Sequence, residues 1–340
     1  MKHIIPLLLT FLLLTSCEKA FMSPDIRATE VNTFEYLWHK VDEQYSMFDV
    51  KQVDWNAVYD TLRPQVRNGM GRDSLFLVCA QMLNTLNDGH INLYTSYDVS
   101  RADSLYHQFY SQSGIDINTV VLNYLGINYH STGGLSHNSL CNGQVIYILY
   151  GSFSSNFSLG QLRQVVQSYP DARGMIIDIR GNGGGNINNV YKLLSIMPSH
   201  GQELYYSQIK NGPAHNDFTP LVPTYAPHVP DSEAFTLPVY VLTDRGCYSA
   251  ASIFAITTQA YPNISLLGDT TGGGLGLPSG GILPNGWVYR FPINRAIALD
   301  GKNYENGVPP DICVQFDRQQ AYTLGRDNII DSACSIILNQ

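Results

Sequence analysis

Short apolar runs typical of strands alternate with segments typical of helices along the second half of the chain, and this alternation limits the possible folds most strongly. The strand-like runs lie at 145–150, 174–179, 204–209, 238–243 and 264–267. Helical patterns lie between them at 159–169, after the glycines of 181–185, and at 249–260. Strands that alternate with helices form mostly parallel sheets covered on both faces. The sequence therefore predicts a mixed α/β fold.

Glycine and proline indicate the connections between these elements. We expect loops at the proline-rich segment 211–237 and the glycine-rich segment 272–281, and a hairpin around Pro284-Asn285-Gly286. The polar segment 98–142 predicts loops and short strands, and 303–312 predicts a loop that leads into a short strand.

The region before residue 90 has a helical period. Apolar residues recur at spacings of three and four between Phe34 and Tyr45, which gives one apolar face. Asp54 is a candidate cap for a second helix that ends at Pro64, and 75–86 predicts a third helix. We expect a small helical domain at 29–90, followed by an α/β core domain at 91–340.

The amino terminus has the pattern of a secretory signal peptide over 1–16. Lys2 precedes an apolar run shorter than the ~20 residues of a spanning helix. Its ending, Leu14-Thr15-Ser16-Cys17, resembles the bacterial lipobox, which implies lipidation of Cys17 and a tether at 17–28. An ordinary signal peptide or a short membrane anchor is the alternative. The lipobox predicts a lipoprotein of a bacterial cell envelope, at the outer membrane or on the periplasmic face.

Composition argues against several functions. The chain has 20 Lys+Arg against 28 Asp+Glu and no basic cluster, so nucleic acid is not an expected partner. The six cysteines are widely spaced without a CxxC pair, which argues against a disulfide framework and against a zinc site. We expect no metal and no organic cofactor.

Ser249 is the first candidate for chemistry, because it lies where the strand 238–243 and its turn give way to a helix. A helix N-terminus offers free N–H groups and positive dipole to a developing anion, which suits a nucleophile. Capping serines are nevertheless far commoner than catalytic ones, so a simple N-cap is the alternative for Ser249. Cys247, two residues earlier, is an alternative nucleophile.

A nucleophilic serine needs a base, a group that orients the base, and donors for the oxyanion. The chain offers His90 at a predicted helix-to-strand corner, Glu305 in a late loop, and N–H groups in the glycine turn 180–186. That turn has no GxGxxG in register and no GK[ST], which argues against a dinucleotide or phosphate loop. Nothing in the local pattern says that these groups converge.

Five ordered motifs resemble the C-terminal processing (tail-specific) serine peptidases. They are LNDGH at 86–90, DIRGNGGG at 178–185, SAAS at 249–252, GDTTGGG at 268–274 and ENGVPPD at 305–311. The resemblance covers roughly residues 30–315 and includes an amino-terminal helical cap. It implies a crotonase-like, ClpP-like core with a mostly parallel sheet.

The chain departs from that family in two ways. Many members use a Ser-Lys dyad, and here Gly274 occupies the Lys position. The sequence instead looks like the branch that includes the tricorn protease core, where a His and a Glu serve the Ser, although Gly89 stands where that branch has a further Ser. The family also usually inserts a PDZ domain, for which 98–142 is too short.

The resemblance implies a role for each candidate residue in the hydrolysis of polypeptides. Ser249 attacks, His90 moves the proton, and Glu305 orients the imidazole and raises its pKa, so that activity falls in acid near or above pH ~6.5. Gly184 and Ala250 supply the oxyanion hole. The substrate is lined by Gly183, Gly185, Gly273 and Gly274. The alternative function is a non-catalytic lipoprotein that binds a peptide, a glycan or an apolar ligand.

Overall fold

The structure is a computed structural model, and it describes residues 26–102 and 114–340. The predicted signal peptide, Cys17 and most of the predicted tether lie outside the described residues. Among the helices of the described ranges, none has the length and apolar character needed to cross a membrane.

The described chain begins with the predicted helical region. It contains α1 (Glu30–Gln44), the short α2 (Phe48–Lys51), α3 (Trp55–Leu62), which runs into a 3₁₀ turn (Arg63–Gln65), and α4 (Arg72–Asn84). Asp54 caps α3 as predicted, since its side chain accepts a hydrogen bond from Ala57 N. The apolar faces of these helices meet in a core that contains Phe34, Leu37 and Trp55.

A seven-stranded sheet forms the centre of the α/β region. Its strands are β2 (His130–Thr132), β3 (Leu135–Leu140), β4 (Val145–Leu149), β5 (Gly174–Asp178), β8 (Val239–Thr243), β9 (Ile264–Gly268) and β13 (Ile312–Cys313). Their order in the sheet is β13-β9-β8-β5-β4-β3-β2. The four pairings from β13 to β4 are parallel, and the last two are antiparallel. The predicted mostly parallel sheet is confirmed.

Both faces of this sheet are covered, because alternate residues of each strand point to opposite sides. On β4, Ile146 and Ile148 join the core formed with α6 (Leu159–Gln167), α7 (Ile187–Leu194) and α8 (Ala250–Thr257). Val145 and Tyr147 join the opposite core with α10 (Asn328–Asn339). The helices α5 (Ile117–Val120), followed by a π turn (Val121–Leu125), and α9 (Arg318–Leu324) flank that second side.

Two antiparallel three-stranded sheets complete the described fold. One has the order β1-β11-β10 and the other β12-β6-β7. The strands are β1 (Asn92–Tyr94), β6 (Glu203–Ile209), β7 (Val222–Tyr225), β10 (Pro278–Ile282), β11 (Val288–Pro292) and β12 (Asn294–Ile297). The predicted loops 211–237 and 272–281 were wrong in part, because β7 lies within the first and β10 begins within the second. Both are edge strands, where proline and glycine are tolerated.

The sheet β1-β11-β10 connects the helical region to the rest of the chain. Leu93, Tyr289 and Phe291 are buried in the same apolar core as the helices before residue 90. The boundary at residue 90 stays a prediction, since the core of the helices continues into later strands.

Candidate active site

Ser249 lies between β8 and α8 in a conformation that is rare for a residue with a side chain. Its φ is 57° and its ψ is −121°. Two hydrogen bonds hold this turn: Ser249 N donates to Gly273 O at 2.9 Å, and Ile253 N donates to Ser249 O at 2.9 Å. Such a conformation costs on the order of 1–3 kcal/mol and persists only where the surroundings enforce it.

The alternative of a simple N-cap does not describe Ser249. Its side chain makes no capping hydrogen bond to the first turn of α8. Instead Ser249 Oγ lies 3.0 Å from His90 Nε2, and Ser249 is half-buried while His90 is buried. The predicted nucleophile and the predicted base, 159 positions apart in sequence, are therefore within hydrogen-bonding distance.

Asp88 supports the corner that carries His90. Its Oδ1 accepts from His90 N at 2.8 Å and from the Tyr248 hydroxyl at 3.2 Å, while Oδ2 accepts from the Tyr45 hydroxyl at 2.9 Å. Asp88 is itself buried. These three donors fix the carboxyl group, which in turn fixes the His90 backbone and the Tyr248 ring.

The pKa of His90 lies below its ordinary value, and this corrects the expected upward shift. Burial of the imidazole lowers the pKa most, Asp88 raises it, and the positive charges of Arg290 and Lys51 lower it further. His90 is therefore neutral, and able to accept a proton, at neutral pH.

Glu305 does not make the predicted hydrogen bond to His90. His90 Nδ1 has no hydrogen-bond partner among the described residues. Glu305 Oε2 accepts from Leu275 N at 2.7 Å, and Oε1 lies 3.4 Å from Lys51 Nζ. Burial, followed by the charge of Asp88, raises the pKa of Glu305 to about 8, against the opposing effect of Lys51. Glu305 thus anchors the 272–275 segment, and its assignment as orienting group is corrected.

We expect Glu305→Gln to flatten the dependence of stability on pH. The pKa of Glu305 is higher in the folded chain than the ordinary value of 4.5. Between the two values the folded state binds more protons than the unfolded state, so wild-type stability falls as pH rises from about 4.5 to about 8, by at most about 1.4 kcal/mol per pH unit. Urea unfolding from pH 5 to pH 8 measures this slope. Glu43→Gln is the control, because the side chain of Glu43 is 46% exposed, and an unchanged slope in Glu305→Gln would contradict the assignment.

The free backbone donors near Ser249 differ from the predicted pair by one residue. Ala250 N and Gly183 N have no acceptor among the described residues, whereas Gly184 N donates to Asn182 Oδ1 at 2.9 Å. Gly184 is needed for close packing, because a Cβ there would lie 2.7 Å from Ser249 Cβ. Among the described residues, Ala250 and Gly183 are therefore candidate oxyanion donors, and Gly184 is already engaged with Asn182.

Of the four glycines predicted to line the substrate, Gly183 lines a cavity beside the site. Gly185 pairs with Phe153 in a β-bridge, and Gly273 pairs with Tyr248. A Cβ on Gly273 would lie 1.8 Å from Glu305 O. Packing against neighbouring backbone accounts for these two glycines.

The Tyr248 ring explains both departures from the family motifs. A Cβ on Gly274 would lie 2.3 Å from Tyr248 Cζ, and one on Gly89 would lie 3.0 Å from the Tyr248 hydroxyl. The ring therefore occupies the space of the dyad Lys and of the additional Ser. Sequence reasoning missed Tyr248 and Asp88, although Tyr248 precedes Ser249 and Asp88 lies within LNDGH.

Cys247 does not have the environment of a nucleophile. Its side chain is fully buried, and its Sγ donates to Ile179 O at 3.0 Å. Burial holds the pKa of the thiol well above its ordinary value. Within the ranges the structure describes, no group of three or more His, Cys, Asp or Glu side chains is placed to hold a metal ion.

Comparison with known proteins follows the same division of the chain. A model of Peptidase family S41 matches residues 144–314, and a model of the Tricorn protease C1 domain matches residues 28–84. The chain is 24% identical over 142 residues to the carboxy-terminal processing protease CtpA of Bacillus subtilis, and 26% identical over 155 residues to CtpB of the same organism. These matches cover 42% and 41% of this chain but 28% and 30% of those relatives, so the chain spans less than a third of their length.

One solved structure matches over nearly its whole length. A candidate peptidase from Parabacteroides merdae is 34% identical, with a TM-score of 0.85, and the match covers 92% of this chain and 98% of that one. The predicted resemblance to C-terminal processing peptidases is confirmed by these matches. Since the S41 model spans half of the chain and a third of the residues are shared with a structure of the same extent, the chain belongs to peptidase family S41.

Proposed function

We propose that this chain is a serine peptidase in which Ser249 is the nucleophile and His90 the general base. The observation that carries the proposal is the 3.0 Å distance between Ser249 Oγ and His90 Nε2. The strained backbone of Ser249 and the free N–H groups of Ala250 and Gly183 support it. Family membership supports peptide bonds as the substrate.

The proposed reaction follows from these positions. Ser249 Oγ attacks the carbonyl carbon of a peptide bond while its proton passes to His90 Nε2. The oxyanion accepts hydrogen bonds from Ala250 N and Gly183 N, at the start of α8 where the helix dipole is positive. The protonated His90 then donates to the leaving amine. In the second half of the reaction, neutral His90 accepts a proton from the water that attacks the acyl-enzyme and returns it to Ser249 Oγ as the acid product leaves. The proposal assigns no direct contact between Glu305 and His90.

A fluorophosphonate probe tests this function against the non-catalytic alternative. In a serine hydrolase the activated Oγ displaces fluoride from phosphorus, and the adduct stays on the serine. We expect labelling of the purified protein, with the adduct mapped to Ser249 by mass spectrometry. The buried Ser252, whose Oγ contacts Cys247 O at 3.1 Å, should stay unlabelled. A protein that remains unlabelled at Ser249 would support the binding lipoprotein instead.

We also propose that the chain is lipid-anchored at Cys17 in a bacterial cell envelope. The support is the sequence Leu14-Thr15-Ser16-Cys17 after an apolar run. We expect Cys17→Ala to move the protein from the membrane fraction to the soluble fraction, because acyl chains would no longer hold it. Cys313→Ala, which changes an exposed cysteine far along the chain, is the control. Retention of Cys17→Ala on membranes after a high-salt wash argues against the anchor.

A further inference from the structure

A cavity of about 410 Å³ adjoins the Ser249–His90 pair. Gly89, Gly183 and Tyr248 line one side of it, and each is either a sequence neighbour of the pair or a candidate oxyanion donor. A group bound in this cavity would therefore lie close to the bond that Ser249 attacks. Its volume is within the usual range for sites that bind small groups.

The polar face of the sheet β1-β11-β10 also lines the cavity. Alternate residues of β1 and β11, such as Leu93 and Tyr289, are buried in the helical core. The residues between them, Asn92, Tyr94 and Arg290, therefore face the other way and line the cavity. Asn92 and Arg290 are direct cross-strand partners.

Arg290 is held in place without a counter-charge. Its Nη2 donates to Asn92 Oδ1 at 2.7 Å, and the same oxygen accepts from the Tyr94 hydroxyl at 3.1 Å. Within residues 26–102 and 114–340, the buried Arg290 Nε has no hydrogen-bond partner and Arg290 forms no ion pair. Burying an unpaired donor on a charged group is unfavourable, so the position favours an arriving acceptor.

The surroundings of the cavity also favour an anion. No Asp or Glu belongs to the lining among the described residues. Asp88, which lies behind Tyr248, already accepts three hydrogen bonds and is buried. A guanidinium presents donors in the planar arrangement that matches a carboxylate.

We propose that this cavity is a subsite for a carboxylate of the substrate peptide and that Arg290 is its specificity-determining residue. The carboxylate is that of an Asp or Glu side chain near the scissile bond. This inference rests on the proposed peptidase function for its catalytic consequence, while the binding of a carboxylate does not depend on that function.

Paired peptides test the subsite in the full mature chain. Each pair carries Glu or Gln at one of the positions that flank the cleaved bond, and a further pair ends in a free carboxylate or an amide. We expect kcat/KM to favour the Glu member of at least one Glu/Gln pair by about 10-fold to 100-fold, as for a charge-assisted hydrogen bond. A preference confined to the acid/amide pair would show recognition of the peptide terminus and would overturn the side-chain subsite.

Substitutions assign the preference to Arg290. We expect Arg290→Gln to reduce the ratio within the preferred pair to about one, and Arg290→Glu to favour Lys over Glu at that position. Arg326→Gln is the matched control, because Arg326 is exposed and its partner is Asp331. It should leave the ratio unchanged.

Binding to Ser249→Ala separates this inference from the peptidase function. Fluorescence anisotropy of the labelled peptides should give the same acidic preference without turnover. If the wild type cleaves neither member but Ser249→Ala binds the acidic one more tightly, the proposed function fails and the subsite stands. Equal binding and equal cleavage of both members at every position, or a preference that survives Arg290→Gln, would overturn the subsite.

Discussion

Ser249→Ala will lower the turnover of a peptide substrate about a millionfold. The residual rate is then set by the oxyanion donors and by substrate binding alone. The substitution removes a single hydroxyl, and that hydroxyl makes no capping bond to α8. The backbone at φ 57° keeps its hydrogen bonds through Ser249 N and Ser249 O. We therefore expect the fold and the melting temperature to change little.

Ser252→Ala is the matched control for this experiment. Ser252 lies on the same helix and is buried, and its hydroxyl bonds to Thr271 Oγ1 at 2.9 Å rather than to His90. Its loss should reduce stability by roughly 1 kcal/mol and leave turnover within a few-fold of the wild type. Wild-type turnover in purified Ser249→Ala would rule out Ser249 as the nucleophile.

His90→Ala will lose nearly as much turnover, because the proton of Ser249 then has no acceptor at 3.0 Å. In the wild type, kcat/KM should fall in acid through a single ionisation below pH 6.5, since burial lowers the pKa of His90 and only the neutral ring accepts a proton. Stopped-time assays from pH 4.5 to pH 8 measure this limb.

The control for His90 is His137→Ala. His137 is buried too, but its ring bonds to Tyr169 and Thr132, away from Ser249. Its removal should leave the acid limb where it is in the wild type. An acid limb above pH 6.5, or activity in His90→Ala close to the wild-type rate, would show that another group is the base.

The sequence predicted the elements of the core well because their patterns are local. The continuous apolar runs of β4, β5 and β8 follow from burial on both faces of the sheet, and the helix α3 follows from the cap at Asp54. The edge strand β7 was missed because Pro223 argues against a strand, although an edge position has no need of that N–H.

The candidate site depended on contacts between distant residues, which local patterns do not contain. Resemblance alone joined His90 to Ser249, and the structure brings them together. The same resemblance implied Glu305 as the orienting group, but Lys51 of the helical region lies 3.4 Å from it and Leu275 N is bonded to it. The sequence around Glu305 gives no indication of this contact, because Lys51 lies far away along the chain. The packing of the Tyr248 ring against Gly89 and Gly274 was likewise not predictable from local patterns, because it joins distant parts of the chain.

The most direct test of the Ser249–His90 pair is a double-mutant cycle of kcat/KM. The wild type, Ser249→Ala, His90→Ala and the double variant are assayed with one peptide at one pH in the neutral range. Because the nucleophile and its base act as a unit, the account predicts that the double variant is no slower than either single variant. Losses that multiply in the double variant would contradict it, since two independent groups would then be at work.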